Sequence, residues 1–175
     1  LDQRNSLLKD LKRYPSLEGT LDIWDMQLAK LGTIITIYRN DYIDRLKKYA
    51  AEIYEGFSKE EFKIEYSSTV FEDAENIKKY TDSNINAYYN VLSASREKDS
   101  VLKYTSAGVH RDDLELSINQ LAVRNYGSQG QKRSVVLTLK LSEARILKDV
   151  TGENPVILFD DVLSELDESR QEYLL

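Results

Sequence analysis

The sequence has no cysteine, and its 175 residues include only two prolines and seven glycines. The absence of cysteine excludes disulfides and thiolate-bound metal sites. The scarcity of proline and glycine, beside 41% hydrophobic and 31% charged residues, indicates an ordered and largely helical chain. The apolar runs are far shorter than the roughly 20 residues that span a bilayer, and the start has no secretory signal pattern. We therefore expect a cytoplasmic protein without membrane contact.

The sequence also lacks a basic surplus, because its net charge is −6. This balance excludes a uniformly basic nucleic-acid binder, since phosphate binding requires lysine and arginine to displace counterions. Two local basic clusters remain candidate contacts to DNA phosphates. Their members are Lys9, Lys12 and Arg13, and separately Arg39, Arg45, Lys47 and Lys48. The alternative is a solvated helix face beside Asp41 and Asp44. Charge runs of this kind more often indicate such a face than a binding site.

The spacing of apolar residues predicts a helix-rich α/β chain. Steps of three and four residues predict helices, and strict alternation predicts strands. The predicted helices cover residues 1–13, 21–54, 73–104 with a break near 81–84, 128–150, and 164 onward. The predicted strands cover residues 62–66, 114–118 and 156–159, the last buried on both faces. We place a boundary near residue 100, between a helical arm at 1–100 and a compact α/β segment at 101–175.

Aromatic and histidine side chains are expected to serve packing. Tyr38, Tyr42 and Tyr49 follow the apolar stripe of the helix predicted at 21–54, so we expect them in the core. His110 is the only histidine in the sequence. A structural hydrogen bond is the more common role for such a lone histidine than a catalytic one.

The strongest candidate for chemistry is the segment from Pro155 to Asp161, in which four apolar residues lead to Asp160 and Asp161. Open α/β sheets bind ligands at the carboxyl ends of their strands. In a nucleotide site this pattern is a Walker B strand, whose first acid holds magnesium and whose second orients or deprotonates the attacking water. The alternative is that the two aspartates only cap the following turn. The motif alone does not decide between these meanings.

A second candidate is the glycine-rich turn at residues 126–133, which leads into a predicted helix. Ser128 can cap this helix, so that backbone N–H groups and the positive end of the helix dipole face an anion. Gly130 allows a close approach, while Ser128 and Gln131 offer neutral donors to phosphate oxygens. The alternative is an ordinary capped helix, which an isolated sequence of this kind favours.

The order and spacing of these elements resemble an ABC ATPase. The capped helix start, about six helical turns, the strand with paired acids and the segment 163–167 match its signature motif, Walker B strand and D-loop. The residues at 126–133 and 160–167 are more similar to the RecF family than to transporters. Segments 3–9, 24–29 and 108–114 also resemble that family, although proline usually stands where this chain has Val109. The resemblance covers nearly the whole chain and is weak between residues 50 and 100.

The resemblance implies a fold and roles for individual residues. The fold would be the second lobe of an ABC-type P-loop ATPase head with an α-helical arm. Asp160 would bind Mg²⁺, and Asp161 would be the catalytic base, where most ABC proteins have the longer glutamate; slow turnover is therefore expected. The residues facing the γ-phosphate of ATP held by a second subunit would be Ser128, Gly130 and Gln131. The D-loop residues at the same dimer interface would be Ser164 and Asp167.

The resemblance also implies a function for a whole protein. A protein of the RecF family is expected to bind single-strand/double-strand DNA junctions, form an ATP-dependent homodimer, and support RecA loading with RecO and RecR. The sequence contains no Gly-x-x-x-x-Gly-Lys-Ser/Thr motif, so this chain alone is not expected to grip or hydrolyse ATP. We expect it to be a segment of a longer protein whose P-loop precedes it.

Two alternatives remain open at this point. The chain is a non-catalytic DNA-clamp or protein-interaction arm whose nucleotide residues are vestigial, or it comes from the head of another SMC- or Rad50-like ATPase. An upstream P-loop lysine would favour an ATPase over an arm. The predicted arm is too short for the long coiled coil of the second alternative.

Overall fold

The computed structural model describes residues 1–11 and 13–158. The predicted roles of Lys12, Asp160, Asp161, Ser164 and Asp167 therefore lie outside the described residues. Within the described ranges, no helix is both long enough and apolar enough to cross a membrane.

Helices dominate the described chain, and three short strands form one sheet. The α-helices are α1 (Asp2–Asp10), α2 (Glu18–Phe57), α3 (Asp82–Ala94), α4 (Arg96–Leu102), α5 (Val123–Tyr126) and α6 (Gln129–Thr151). Two short 3₁₀ turns lie at Pro15–Leu17 and Ala74–Asn76. The strands are β1 (Phe62–Ser67), β2 (Asp113–Ile118) and β3 (Leu121–Ala122), in the sheet order β1-β2-β3.

A tight hairpin joins β2 to β3. The two strands are antiparallel, with Ser117 opposite Ala122 and Ile118 opposite Leu121. Asn119 and Gln120 form the connection and both have positive φ, at 48° and 67°. Two consecutive left-handed residues match the twist of antiparallel strands, which is why such turns favour hairpins. Helix α5 follows β3 directly, and the glycine-rich turn follows α5.

The described chain forms two compact units that interleave along the sequence. Unit 1 comprises Leu1–Asp41 and Tyr66–Leu114, and unit 2 comprises Tyr42–Glu65 together with the residues from Glu115 onward. Each unit has its own buried residues. The division into a helical arm at 1–100 and an ATPase lobe at 101–175 stays a prediction.

Unit 1 is built around the guanidinium group of Arg4, which is completely buried. Its Nε lies 2.5 Å from Asp25 Oδ1, and one terminal nitrogen lies 2.7 Å from Asp99 Oδ2 and 2.8 Å from Thr105 Oγ1. Arg96 supports the same site, because its Nε donates to the second oxygen of Asp25 at 2.7 Å. Burying charges in this way requires partners on every side, since an uncompensated buried ion is very costly.

The first half of α2 buries a polar face. Asp25, Thr33, Thr36 and Asn40 are all buried, together with Ala29. The threonine hydroxyls donate to carbonyl oxygens one turn earlier in the helix, and Asn40 donates to the carbonyl oxygens of Ala74 and Ile77. These bonds satisfy the buried groups and allow the polar face to pack inward.

The predicted apolar stripe of α2 is consequently wrong in this half. Ile23 is 60% exposed and Tyr38 is 74% exposed, and Tyr42 is exposed as well. Tyr49 lies further along α2, in unit 2, where it is half-buried and its hydroxyl donates to Asp149 of the same unit. The spacing of apolar residues predicted the helix correctly. It did not predict which face packs inward, because the buried side chains on that face are polar and are satisfied by hydrogen bonds within the protein.

Gly32 allows α2 to approach Tyr88 of α3. A Cβ at this position would overlap the Tyr88 ring. Burial raises the pKa of Tyr88 to about 12, and its hydroxyl oxygen accepts a hydrogen bond from Val109 N at 3.0 Å. The close contact between α2 and the Tyr88 ring is therefore possible because glycine at position 32 has no side chain.

Unit 2 has an apolar core at the end of α2. Tyr54, Ile118, Val123 and Val135 are buried there. The partly buried residues packed against them are Phe62, Leu116 and Leu139. The rings of Tyr54 and Phe62 have centroids 4.8 Å apart and are tilted by 31°. The core therefore joins the end of α2, the sheet and α6.

Three sequence-based boundaries need correction. The break between helices that we predicted at 81–84 lies at Ser95, between α3 and α4. Thr81 caps the start of α3. Tyr126, where the predicted glycine-rich turn begins, is the last residue of the short helix α5. Residues 156–158 do not form the predicted buried strand, and Val156 and Leu158 are 87% and 91% exposed. A strand buried on both faces requires neighbouring strands, and no strand among the described residues pairs with this segment.

We expect Gly32→Ala to destabilise the chain, because overpacking against the Tyr88 ring costs roughly 1–3 kcal/mol. Urea unfolding measures the loss. Gly19→Ala is the matched control in the same helix, since a Cβ there meets nothing within 4 Å. Equal stabilities for the two variants would contradict the close contact between α2 and Tyr88.

Replacing Arg4 by methionine leaves Asp25 and Asp99 buried near a side chain that has no charge. Breaking a buried pair on one side costs about 3–5 kcal/mol, and we expect a loss of this size in the free energy of unfolding measured in urea. Lys140→Met is the control, because Lys140 belongs to an exposed pair with Glu143 and such pairs contribute about 1 kcal/mol or less. Similar losses for both variants would show that the Arg4 network is not formed.

Candidate functional site

The glycine-rich turn lies in unit 2, between α5 and α6. Gly127 follows α5, and a Cβ at this position would lie 2.6 Å from the carbonyl oxygen of Val123. Only glycine therefore fits this turn without a shift of the backbone. Ser128 comes next in an extended conformation, with φ −62° and ψ 162°, and caps the start of α6.

Ser128 and Gln131 form a reciprocal capping box. The Ser128 hydroxyl oxygen accepts from Gln131 N at 3.2 Å, and Ser128 N donates to Gln131 Oε1 at 2.9 Å. Two backbone donors that the helix itself cannot satisfy are thus paired. Ser128 is exposed and Gly130 is half-buried. The hydroxyl hydrogen of Ser128 is not used by the capping box, so it can donate to an incoming group.

The electrostatics of this helix start favour an anion. Helix α6 has 23 residues, and its first turn contains no aspartate or glutamate. The N–H groups of Gln129 and Gly130 have no acceptor within the helix, because the first amides of any α-helix lack one. The helix dipole adds a partial positive charge of roughly half a unit at this end. An exposed turn with these properties can bind phosphate oxygens.

Glu60 is a site residue that no sequence motif predicted. Gln131 Nε2 donates to Glu60 Oε1 at 2.8 Å. The other carboxylate oxygen of Glu60 accepts from Ser58 Oγ at 3.1 Å and from Tyr54 Oη at 3.3 Å. Glu60 and Gln131 are 71 positions apart in the sequence, and no local motif joins them. The only available signal was the Ser-x-x-Gln pattern, which predicts the capping box but not its partner.

The structure brings three of the predicted site residues together, namely Ser128, Gly130 and Gln131. Both polar atoms of the Gln131 carboxamide have partners, although Nε2 carries a second hydrogen. The direct contact predicted between Gln131 and phosphate therefore stays a prediction. Asp160 and Asp161 cannot be compared with this turn, because they lie outside the described residues.

The predicted DNA contacts are distributed over both units. In unit 1, Arg39 donates to the carbonyl oxygen of Val109 at 2.5 Å and lies 3.6 Å from Asp112 Oδ2. It therefore helps to hold the loop before β2, and its side chain is 40% exposed. Lys9 and Arg13 are exposed in the same unit.

In unit 2, Arg45 and Lys48 are exposed, and Lys47 is half-buried. A DNA-binding role for either cluster stays a prediction.

His110 has a structural contact, as expected. Its Nε2 lies 3.1 Å from the carbonyl oxygen of Thr105 in unit 1. Among the described residues, no group of three histidine, aspartate or glutamate side chains is arranged to hold a metal ion. The predicted magnesium ligand, Asp160, lies outside these residues.

Comparison with known proteins finds similar proteins that share one name, although no family model matches the chain. The chain is 45% identical over 177 residues to the DNA replication and repair protein RecF of Clostridium perfringens (strain 13 / Type A). It is 43% identical over 179 residues to the protein of that name from Lachnospira eligens, and 39% identical over 181 residues to that from Ruminiclostridium cellulolyticum. All three alignments include 100% of the chain. The chain is therefore similar to RecF proteins along its whole length.

Solved RecF structures confirm the fold class. The chain matches two structures of the recombination mediator protein RecF in the RecFOR pathway, RecF-ATP and RecF-ATPrS, each with a TM-score of 0.86 and 39% identity. These matches cover 99% of the chain and 46% of each solved chain. The chain also spans about half of the curated RecF relatives, at 46–47% of their length.

We expect Ser128→Ala to lower the free energy of unfolding by about 1 kcal/mol, because the α6 N-cap is lost. Ser128→Asp retains an N-cap oxygen, so its stability in urea should remain close to that of the unchanged chain. Thr81→Ala is a matched control, since Thr81 caps α3 by accepting from Asn84 N and should show a similar loss. Unchanged stability of Ser128→Ala would contradict the capping box.

Proposed function

We propose that this chain supplies the half of a RecF-type ATP site that contacts nucleotide held by a second subunit. Ser128 and the first amides of α6 bind the γ-phosphate oxygens, with Gly130 allowing close approach. Gln131 either contacts the phosphate through its second Nε2 hydrogen or holds Ser128 in place. The observation that carries the proposal is the exposed capping box at the start of a 23-residue helix whose own first turn contains no acidic residue. The Glu60 carboxylate lies beside this start, and both of its oxygens accept hydrogen bonds from the protein. Homology to proteins solved as RecF-ATP supports it.

The acidic residues beyond the described ranges complete the proposed site. Asp160 is the magnesium ligand and Asp161 is the catalytic base, with the D-loop residues Ser164 and Asp167 at the subunit interface. Carboxylate oxygens are suitable ligands for magnesium, which would neutralise phosphate charge when bound. Asp161 is shorter than the usual glutamate, so we expect slow hydrolysis. Slow hydrolysis is better suited to a protein whose assembly is controlled by bound ATP than to one that hydrolyses ATP rapidly.

The proposed mechanism is differential binding between subunits. ATP held by the P-loop of one copy presents its γ-phosphate to the start of α6 in the other. The contact exists only in the dimer, so ATP stabilises that state by the free energy of the contact. Hydrolysis removes the phosphate that links the subunits, and the homodimer separates.

A whole protein containing this chain is proposed to act in DNA repair and replication in the cytoplasm. By analogy with RecF in the RecFOR pathway, its partners are RecO and RecR, and it supports the loading of RecA at single-strand/double-strand DNA junctions. The exposed members of the two basic clusters are the proposed contacts to DNA phosphates, since phosphate binding requires local positive charge.

The decisive test places Ser128→Asp in a full-length RecF-type protein that contains this chain. The aspartate preserves the helix cap but brings a negative charge toward the phosphate. We expect the ATP concentration for half-maximal dimerisation, measured by light scattering, to rise at least about tenfold, equivalent to ~1.4 kcal/mol. Turnover of ATP should fall with it.

The matched control is Thr81→Asp, which places the same charge at the N-cap of α3. This variant should leave ATP-dependent dimerisation unchanged. If Ser128→Asp folds and dimerises with ATP like the unchanged protein, the nucleotide role is wrong. The interaction-arm alternative would then be favoured.

A further inference from the structure

We propose that Glu60 is a positioning residue for the glycine-rich turn, acting on the proposed phosphate-binding end of α6 through Gln131. The inference rests on the proposed function and adds a residue from the connection between α2 and β1. The contact that carries it is the 2.8 Å hydrogen bond from Gln131 Nε2 to Glu60 Oε1. Both residues belong to unit 2 and are half-buried.

The contact fixes the orientation of the Gln131 carboxamide. Nitrogen can donate to the carboxylate only if the amide oxygen points the other way, and that oxygen accepts from Ser128 N. A rotated carboxamide would lose both bonds. Glu60 thus selects the conformation in which the capping box is closed. The closed box in turn holds the Ser128 hydroxyl, whose oxygen accepts from Gln131 N.

Glu60 itself is held firmly by the core of unit 2. Its second carboxylate oxygen accepts from Ser58 Oγ and from Tyr54 Oη. Tyr54 is 1% exposed and packs against Phe62. A carboxylate with three donors on two oxygens has little rotational freedom, so it can act as a fixed reference for its neighbour.

The backbone beside Glu60 is fixed as well. Glu61 N donates to Asn119 Oδ1 at 3.0 Å, and Asn119 N donates to the carbonyl oxygen of Glu61 at 2.8 Å. Asn119 is the first residue of the β2–β3 hairpin turn, which precedes the glycine-rich turn by a few residues. The Glu60–Glu61 connection is therefore attached both to the hairpin and to α6. This double attachment sets the start of α6 against the sheet.

The test uses Glu60→Ala in the full-length RecF-type protein, with Glu60→Gln as the conservative variant. Loss of one charge-assisted hydrogen bond should raise the ATP concentration for half-maximal dimerisation about tenfold. Glutamine retains an oxygen that accepts from Gln131, so it should restore this concentration to within about threefold of the unchanged protein. Glu61→Ala is the matched control, because the Glu61 side chain pairs with Lys63 and its backbone bonds remain; we expect it to have no effect.

A double-mutant cycle with Gln131→Ala separates positioning from general stability. If Glu60 acts through Gln131, then adding Glu60→Ala to Gln131→Ala should cause no further loss. The inference would be overturned if Glu60→Ala raised the ATP concentration for half-maximal dimerisation equally in the unchanged protein and in Gln131→Ala. It would also be overturned if Glu60→Ala lowered this concentration, because the contact would then be inhibitory. If Ser128→Asp abolishes the ATP response while Glu60→Ala leaves it unchanged, only the positioning role is wrong. If neither variant changes the response, the proposed function and the inference are both wrong.

Discussion

The buried guanidinium of Arg4 is the interaction on which unit 1 depends. It joins α1 to α2 through Asp25 and to α4 through Asp99, and these partners are 21 and 95 positions away in the sequence. A planar group with five donors suits this role, because it can face several acceptors at fixed angles. Arg4 and Asp25 lie in two of the segments that resemble the RecF family, 3–9 and 24–29.

In unit 2, directed hydrogen bonds also fix a local geometry, here at the exposed start of α6. The start of α6 is closed by its own capping box, and the box is oriented by a carboxylate that the core holds in place. In unit 1 a polar group with several directed bonds joins three helices, whereas in unit 2 the apolar core joins the elements and directed bonds orient the start of α6. Directed bonds provide geometry, whereas hydrophobic burial provides most of the driving force.

Local patterns predicted most elements but not the contacts between distant segments. The strands β1 and β2 and the capped start of α6 followed from alternation and from Ser128, because these signals lie within a few residues. The inward face of α2 did not, since hydropathy ignores that Thr33 and Thr36 satisfy their hydroxyls within the helix. The strand expected at 156–159 required neighbouring strands, and its own composition cannot reveal whether they are present. Glu60 was missed for a similar reason, because its partner is remote in sequence.

The closed capping box has a thermodynamic consequence for any ligand of this turn. Ordering a flexible loop costs about 1–2 kcal/mol of backbone entropy per residue. In this chain, Gly127 and the reciprocal bonds of Ser128 and Gln131 fix the conformation during folding. An arriving anion therefore meets donors that are already preorganised. Its binding energy can be spent on holding two molecules together, with little lost in rigidifying the loop.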